Sequence, residues 1–266
     1  MLPGKLPNGM SILGDADVTS RCRCVNKPGS YMIFPRANRV EHNLPGFMGV
    51  QAQVLSTPQQ GAKFVEHELW VHPNGCTLKP RDEEFEQFFF VLEGELQFSY
   101  AGGPMQKMIR GNFCWLPPHC AYEFVNKGSE RCRMIWIRRR YEEVAGIAIP
   151  APIFAHEGDV PGEACDTYWE KHLTPYESMG FDMGINFQIF EAGVYFPYVE
   201  AHVMEHGLYM VDGCGLYFLN NDLIEVQKDD YIYMAPFCPQ FYYAMGWEKS
   251  SYLLYKDVNR DYTQDL

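Results

Sequence analysis

Short alternating runs of hydrophobic and polar residues cover most of the chain, separated by Gly, Pro, Asn or Asp. Typical runs are 88–100, 183–196 and 207–221, which are rich in β-branched and aromatic residues. Because these runs are too short for helices and alternate with a period of two, they predict the strands of a sandwich or barrel. One helix signal occurs near 157–173, where acidic residues precede a weakly periodic run. The pattern predicts an all-β protein with few, short helices.

The chain also repeats one arrangement of residues on either side of a segment rich in Ala, Pro and Gly at 145–162. Residues 111–126 align with residues 229–244 at a constant offset. A second block aligns at nearly the same offset, matching Gly75, Arg81, Glu83, Gln87 and Gly94 with Gly193, Glu200, His202, His206 and Gly213. Such self-similarity indicates two copies of one β-module, each of about 110 residues. The predicted division is 1–150, an N-terminal extension with one module, and 151–266, a linker with the other.

Composition and charge narrow the class of protein further. Hydrophobic residues make up 47% and charged residues only 21%, which excludes a disordered chain and a coiled coil. The net charge of −12 is uneven, because residues 1–150 carry +2 and residues 151–266 carry −14. An acidic half repels phosphate backbones, so we expect no nucleic-acid partner. It suits a metal cation or an amine-bearing substrate, although a solvated acidic surface explains the charge equally simply.

The cysteines and the N-terminal residues indicate the cellular compartment of the protein. The chain has nine cysteines with irregular spacing and no C-x-x-C pair, which is typical of free thiols in a reducing compartment. The N-terminus has no continuous apolar segment, and no stretch approaches 18 apolar residues. The sequence therefore predicts a cytoplasmic protein with neither a signal peptide nor a membrane span.

The two aligned blocks resemble the two motifs of the cupin superfamily, G-x5-H-x-H-x3,4-E-x6-G and G-x5-P-x-G-x2-H-x3-N. The N-terminal copy of the second motif keeps Gly111, Pro117 and Asn126, and the C-terminal copy of the first keeps Gly193 and Gly213. The resemblance implies a bicupin, with two antiparallel β-barrels in tandem. Every second side chain of a barrel strand points inward, which is how such barrels present ligands.

The C-terminal copy holds metal-ligand chemistry at the four positions where cupins carry ligands, namely Glu200, His202, His206 and Gln240. Glu200 and His202 are two residues apart, so a strand would place them on one face. Two imidazoles with two oxygen donors suit Mn²⁺, Fe²⁺ or Ni²⁺. The simpler alternative is that the two histidines are ordinary core or surface residues.

The N-terminal copy has lost this chemistry. Its four corresponding residues are Arg81, Glu83, Gln87 and Tyr122. A guanidinium cannot ligate a cation, and no imidazole remains at these positions. The sequence therefore predicts one metal ion per chain, in the C-terminal barrel, and a metal-free N-terminal barrel.

The resemblance narrows to the ureidoglycine aminohydrolases, a family of manganese bicupins, on residues 200–209, Gln240 and residues 251–261. Residues 29–47 and 61–75 also resemble this family. The resemblance implies hydrolysis of (S)-ureidoglycine to (S)-ureidoglycolate and ammonia in allantoin breakdown, with Mn²⁺ as cofactor. It also implies substrate contacts from Glu200, Gln240, Tyr252 and Lys256, and catalytic roles for Glu200, Tyr252 and Lys256. Tyr252 and Lys256 share one strand face, although Lys256 could instead be a surface residue at a strand end.

Two other functions stay open on the sequence. One is a metal cupin enzyme of another class, an isomerase or a dioxygenase, which oxygen uptake would distinguish. The other is a non-catalytic binding bicupin, which would be expected to lose the metal site in both copies. The expected partners are a small-molecule substrate and further copies of the chain, with an octamer as the assembly that the resemblance implies.

Overall fold

The structure, a computed structural model, describes residues 23–260. Within that range, strands form all regular structure except three short 3-10 turns, at Arg36–Asn38, Pro58–Gln60 and Glu157–Asp159. No helix in the described part is long and apolar enough to cross a membrane. The predicted all-β class is confirmed.

Eleven strands lie in the N-terminal half: β1 (Val25–Lys27), β2 (Tyr31–Phe34), β3 (Glu41–Asn43), β4 (Phe47–Ser56), β5 (Phe64–Thr77), β6 (Phe85–Glu93), β7 (Glu95–Tyr100), β8 (Gln106–Ile109), β9 (Asn112–Leu116), β10 (Tyr122–Val125) and β11 (Cys132–Arg140). Ten lie in the C-terminal half: β12 (Ile153–His156), β13 (Glu163–Cys165), β14 (Tyr168–His172), β15 (Met183–Phe190), β16 (His206–Asp212), β17 (Cys214–Leu219), β18 (Asp222–Gln227), β19 (Tyr231–Met234), β20 (Gln240–Met245) and β21 (Ser250–Asp257).

Antiparallel pairing gathers these strands into two barrels. A curled ten-stranded sheet encloses the first core. Its path is β12-β9-β6-β11-β5-β10-β7-β8, and β4 pairs with both β5 and β3. An eight-stranded sheet, β1-β2-β19-β16-β21-β15-β14-β13, and a three-stranded sheet, β18-β17-β20, enclose the second core. A third apolar cluster lies between the two large sheets, which pack back to back. The fold is the predicted bicupin, with the barrels joined by a continuous core.

Strand pairing crosses the predicted boundary at residue 150 in both directions. Strand β2 pairs with β19 of the C-terminal barrel, with Tyr31 opposite Met234. Strand β12, inside the predicted linker, pairs with β9 of the N-terminal barrel, with Ile153 opposite Trp115. Each barrel thus takes an edge strand from the other half of the chain. The division at residue 150 stays a prediction about folding units. Strand pairing does not follow this division.

The predicted helix near 157–173 is wrong. After the 3-10 turn, the chain forms β13 and β14, and Trp169 of β14 pairs with Ile189 of β15. Glu170 points inward and is buried, where its carboxylate accepts hydrogen bonds from the amides of Asn186 and Gln188. Pairing with β15 makes the side chains of this segment alternate between the inside and the outside of the barrel. This tertiary pairing outweighs the acidic residues at the start of the segment, which favoured a helix.

A buried polar network also joins the barrels. The Glu68 carboxylate accepts hydrogen bonds from Arg39 at 2.8 Å, Arg133 at 2.7 Å and the Tyr209 hydroxyl at 2.8 Å. Asp229 accepts from Arg133 at 2.7 Å and from Tyr209 at 3.1 Å. Because Glu68 and Arg133 belong to one barrel and Tyr209 and Asp229 to the other, these bonds fix the two barrels against each other.

Glu86, fully buried between the two large sheets, should make stability depend on pH. Burial, followed by the charge of Asp182, raises the pKa of Glu86 to about 8, from 4.5. The folded state therefore holds this proton more tightly than the unfolded state, so the carboxyl destabilises the fold increasingly as the pH rises from about 4.5 to about 8. Glu86→Gln should remove this loss, which amounts to a few kcal/mol.

Urea unfolding of both proteins over this pH range is the measurement. The free energies of unfolding should diverge as the pH rises, with the variant the more stable above pH 8. A difference that stays constant with pH would contradict the raised pKa of Glu86.

Candidate active site

Glu200 and Gln240 face each other in an isolated antiparallel bridge at one end of the C-terminal barrel. Each backbone N–H donates to the other carbonyl oxygen at 2.8 Å. Arg81 and Tyr122 form the corresponding bridge in the N-terminal barrel, at 2.8 and 2.9 Å. The aligned positions of the sequence therefore occupy equivalent places in the two barrels.

Two imidazoles and an amide converge beside this bridge. His206 begins β16 and is buried, whereas His202 lies in the preceding irregular segment and is partly exposed. Their Nε2 atoms are 3.2 Å apart, and the Gln240 side-chain nitrogen lies 3.5 Å from Nε2 of His202. The backbone carbonyl of His202 accepts a 2.7 Å hydrogen bond from the N–H of Phe237, which anchors the segment. Three of the four predicted ligands are thus brought together.

Burial keeps both imidazoles neutral. The pKa of His206 is lowered well below its ordinary value by burial and then by the charges of His202 and Lys256. Burial and Lys256 also lower the pKa of His202. Neutral imidazoles present a lone pair, and two lone pairs at 3.2 Å repel unless a proton or cation lies between them. A half-turn of the Gln240 amide would present oxygen to the same point. These three groups fit a divalent transition metal.

Glu200, the fourth predicted ligand, is connected to His202 by irregular chain and not by strand. Residues 201–205 are not strand, so the expectation that Glu200 and His202 share a strand face is wrong. Within residues 23–260, no three His, Cys, Asp or Glu side chains form a group arranged to hold an ion. Burial raises the pKa of the Glu200 carboxyl, the charge of Lys256 lowers it, and the charge of Glu170 raises it. Metal ligation by Glu200 stays a prediction.

Lys256 points into the site from the middle of a sheet. Its strand, β21, lies between β16 and β15, with His206 and Gly184 as the neighbours of Lys256. A Cβ at Gly184 would come within 3.2 Å of the Lys256 side chain, so the glycine leaves room for it. The ammonium lies 4.0 Å from the centre of the Tyr176 ring, a cation–π contact. Burial lowers the pKa of Lys256, and the carboxylates of Glu170 and Glu200 oppose this. Lys256 is the penultimate residue of β21 and is half-buried, so its side chain lies in the site and not wholly in solvent.

Tyr252 lies on the same strand face as Lys256 but deeper in the barrel, where it is 1% exposed. Its ring packs against Phe190 and Tyr242, with centroids 5.4 and 5.5 Å away. Burial, followed by the neighbouring Tyr217, raises the pKa of Tyr252 well above its ordinary value. The phenol therefore stays protonated and can act only as a neutral hydrogen-bonding group.

The sequence missed Glu170, a buried carboxylate whose charge acts on both Lys256 and Glu200. Its carboxylate accepts from Gln188 at 2.8 Å and lies 3.8 Å from the His172 ring nitrogen. The only signal was a charged residue between Trp169 and Lys171 in a segment that looked helical. Its position becomes evident only when β14 is paired with β15.

A cleft of about 300 Å³ leads from the surface to Lys256. Tyr176, Val203 and Met204 are among the residues that line it. The side-chain amide of Asn259 donates to the carbonyls of Tyr176, Ser178 and Phe181 at 2.6 to 3.0 Å, which holds this loop in place. A small polar molecule can reach the ammonium by this route.

Comparison with known proteins agrees with this geometry. The cupin domain family matches residues 69–138. The chain is 33% identical to the (S)-ureidoglycine aminohydrolase of Escherichia coli over 90% of its length and 92% of the relative's. It is 30% identical to the (S)-ureidoglycine aminohydrolase of Arabidopsis thaliana, over 92% and 81%. The crystal structure of the E. coli protein Ylba superposes with a TM-score of 0.78 at 31% identity, covering 90% of this chain and 95% of that one. The chain belongs to the (S)-ureidoglycine aminohydrolase family of bicupins.

Proposed function

We propose that this chain hydrolyses (S)-ureidoglycine to (S)-ureidoglycolate and ammonia, a step of allantoin and purine catabolism. The observation that carries the proposal is the convergence of two neutral imidazoles, the Gln240 amide and the half-buried Lys256 ammonium in a member of this family. The substrate bears an amine, a carboxylate and a ureido group on one carbon. The site offers a cation for the carboxylate and hydrogen-bonding groups for the rest.

We propose Mn²⁺ as the cofactor, held by Glu200, His202, His206 and Gln240. When bound, the ion supplies Lewis acidity beside the reacting carbon. The chain's own groups bind and orient the substrate: Lys256 pairs with the carboxylate, and Tyr252 and Gln240 offer hydrogen bonds. In the reaction the bond from carbon to the amine nitrogen breaks, a water hydroxyl adds to the carbon, and a proton goes to the leaving nitrogen. Glu200 lies near Lys256 and is assigned to substrate contact and to this proton exchange.

Release of ammonia from freshly generated ureidoglycine tests the proposal directly. The chelated protein should be inactive, and activity should return when Mn²⁺ is added. No acceleration over the spontaneous reaction, with the metal site filled, would refute it. Oxygen uptake with an organic acid would favour a dioxygenase instead, and ligand binding without any turnover would favour a binding bicupin.

Metal analysis should find about one ion per chain. At the matching position of the N-terminal barrel, the Arg81 guanidinium is ion-paired with Glu83 at 2.6 Å and so already occupies the place of a cation. Repulsion by Arg81 and the lack of an imidazole at the four matching positions exclude a second site of this kind. Elemental analysis of fully metallated protein is the measurement, with His206→Ala as the matched control. Two tightly bound ions in the parent protein, or one ion left in His206→Ala, would contradict the prediction.

We propose that the chain forms a homo-oligomer, with an octamer as the expected assembly. The outer face of the β17–β18–β20 sheet carries Leu216, Phe218, Leu223, Phe241, Tyr243 and Met245, beside Glu225 and Gln227. Leu223 is 59% exposed, and the Phe218 and Phe241 rings stack at 5.1 Å. Apolar and aromatic residues of this kind are enriched in the cores of interfaces between identical subunits.

Light scattering should give a multiple of 30.7 kDa at micromolar concentration. Tyr243→Glu should shift the mass toward the monomer, because it places a charge in the proposed interface. Ile109→Glu, a comparable change at an exposed position of the N-terminal barrel, should leave the mass unchanged. A stable 30.7 kDa monomer of the parent protein would refute the proposal.

We also propose a cytoplasmic location. The eight cysteines of the described residues are all free thiols. Several are buried among apolar side chains, as expected of small core residues in a reducing compartment.

A further inference from the structure

The N-terminal barrel keeps a polar interior at the place where the C-terminal barrel has its imidazoles. The N-terminal chamber, as we call it, is formed by Arg81, Glu83, His67, Gln87, Tyr122, Trp136 and Arg138. Trp136 is its centre: its indole N–H donates to the Gln87 side-chain oxygen at 3.0 Å, and the Arg138 guanidinium lies 3.9 Å from the ring centre. A barrel that had lost all ligands would be expected to fill this space with apolar side chains.

The chamber carries an excess positive charge. Arg81 and Arg138 both contact the Glu83 carboxylate, at 2.6 and 3.3 Å. Among the ion pairs of residues 23–260, Glu83 is the one carboxylate that pairs with either guanidinium. His67 adds no charge, because burial and then Arg138 lower its pKa to about 3. Two cations and one anion leave a charge of +1.

Buried hydrogen-bond donors in the chamber have no acceptor. Gln87 and Tyr122 are 0% and 1% exposed, yet the Gln87 side-chain nitrogen has no partner, and the Tyr122 hydroxyl, which interacts with the Arg81 guanidinium, has no acceptor. The Nε–H of Arg138 is likewise buried without a partner. Native proteins seldom leave such groups unsatisfied, and each of these three can donate. What the chamber lacks is therefore an acceptor.

Solvent reaches the chamber at Arg81 and Glu83. These two residues line a cleft of about 340 Å³ together with Gly46, Lys79 and Asp82, among others. Gly46 has a φ of +85°, and a Cβ there would come within 2.4 Å of the Arg81 guanidinium. The glycine therefore makes room for the Arg81 guanidinium at the entrance, where the charges of Lys79 and Asp82 balance.

We propose that the N-terminal chamber binds a small organic monocarboxylate, with its oxygens beside Arg81 and Arg138 and within the reach of the Tyr122 and Gln87 donors. One negative charge balances the excess charge, and carboxylate oxygens accept without donating. A divalent cation is repelled by the guanidinium groups. This inference is independent of the proposed reaction, which takes place in the other barrel.

Isothermal titration of the full-length, manganese-loaded protein with glycolate is the test. Because Lys256 could bind the same probe, the titration is made in the Lys256→Met background as well as in the parent protein. Glycolate should still bind to Lys256→Met. Adding Arg138→Met should weaken this binding about 10–100-fold, since a charged hydrogen-bonding partner is lost.

Tyr122→Phe in the same background should weaken binding about 2–10-fold. It removes one hydroxyl whose proton has no acceptor in the protein, so the variant should fold and can decide the matter if Arg138→Met does not fold. Absence of glycolate binding to Lys256→Met, or binding unchanged by both chamber variants, would overturn the proposal and leave water as the acceptor. Inorganic phosphate binding more tightly than glycolate in the chamber would overturn the monocarboxylate class.

Discussion

Replacing His206 by alanine should abolish deamination and manganese binding together. His206 is the most deeply buried of the proposed ligands, and its Nε2 lies 3.2 Å from that of His202. Without it, one imidazole and one amide remain close together, too few donors for a firm site. Since a bound ion stabilises developing charge by several kcal/mol, turnover should fall on the order of 10³-fold or more. Metal content and ammonia release are measured on the same preparation.

His72→Ala provides the control. His72 is partly exposed in the N-terminal barrel, where its ring hydrogen-bonds to Gln51 at 2.8 Å, so this change removes an imidazole far from the proposed centre. Metal content and turnover should match those of the parent protein. Circular dichroism should show that both variants keep their β-structure. Full metal occupancy in a folded His206→Ala would remove His206 from the ligand set.

Lys256→Met should leave manganese in place and lower turnover about 10²–10⁴-fold, as expected when a positioned proton-transfer group is lost. An ammonium contributes nothing to metal ligation. The charge of Lys256 nevertheless acts to lower the pKa of Glu200 and of both imidazoles, so the ammonium lies close to all three. Methionine keeps the length of the side chain and its packing near Gly184. A role limited to anchoring the substrate carboxylate would instead raise KM with little change in kcat, so both constants are measured.

Two further variants serve as comparisons for Lys256→Met. Tyr252→Phe should keep the metal and lose less activity than Lys256→Met, because one neutral hydroxyl is removed from an otherwise unchanged ring. Lys249→Met, at an exposed lysine paired with Glu191, should behave like the parent enzyme. Unchanged kinetics in Lys256→Met, with full metal occupancy, would remove Lys256 from the site and weaken the assignment of ureidoglycine as substrate.

The strands and the duplication could be predicted because their signals are local or repeat along the chain. Residues 88–100 fold as β6 and β7 around Gly94, and residues 207–221 contain β16 and β17 around Gly213. Both glycines have φ near +77°, and in both a Cβ would come within 2.7 Å of the backbone of the adjoining strand. The same contact recurs because the same turn recurs. Alignment of the repeats likewise predicted which residues lie at the mouth of each barrel.

Contacts between distant segments could not be predicted in this way. Strand β2 is only four residues long and pairs about 200 residues further along the chain, and no local periodicity specifies such a partner. Glu170 looked like part of a helix, and the burial of Lys256 depends on Gly184 and Tyr176 in two other segments. In each case the deciding energy comes from backbone pairing or packing with a remote strand.

The sequence by itself determined the all-β class, the tandem repeat, the loss of ligand chemistry from one copy, and the positions of His202, His206 and Gln240. These depend on residue type and spacing, which the chain carries directly. The tertiary structure alone decided that the barrels exchange strands and that the chain from Glu200 to His202 is not strand. It alone decided that Glu170 faces Lys256 and that the N-terminal chamber holds unsatisfied donors. These features depend on where long-range strand pairing places each side chain, because burial and unmet hydrogen bonds exist only once separate segments are packed together.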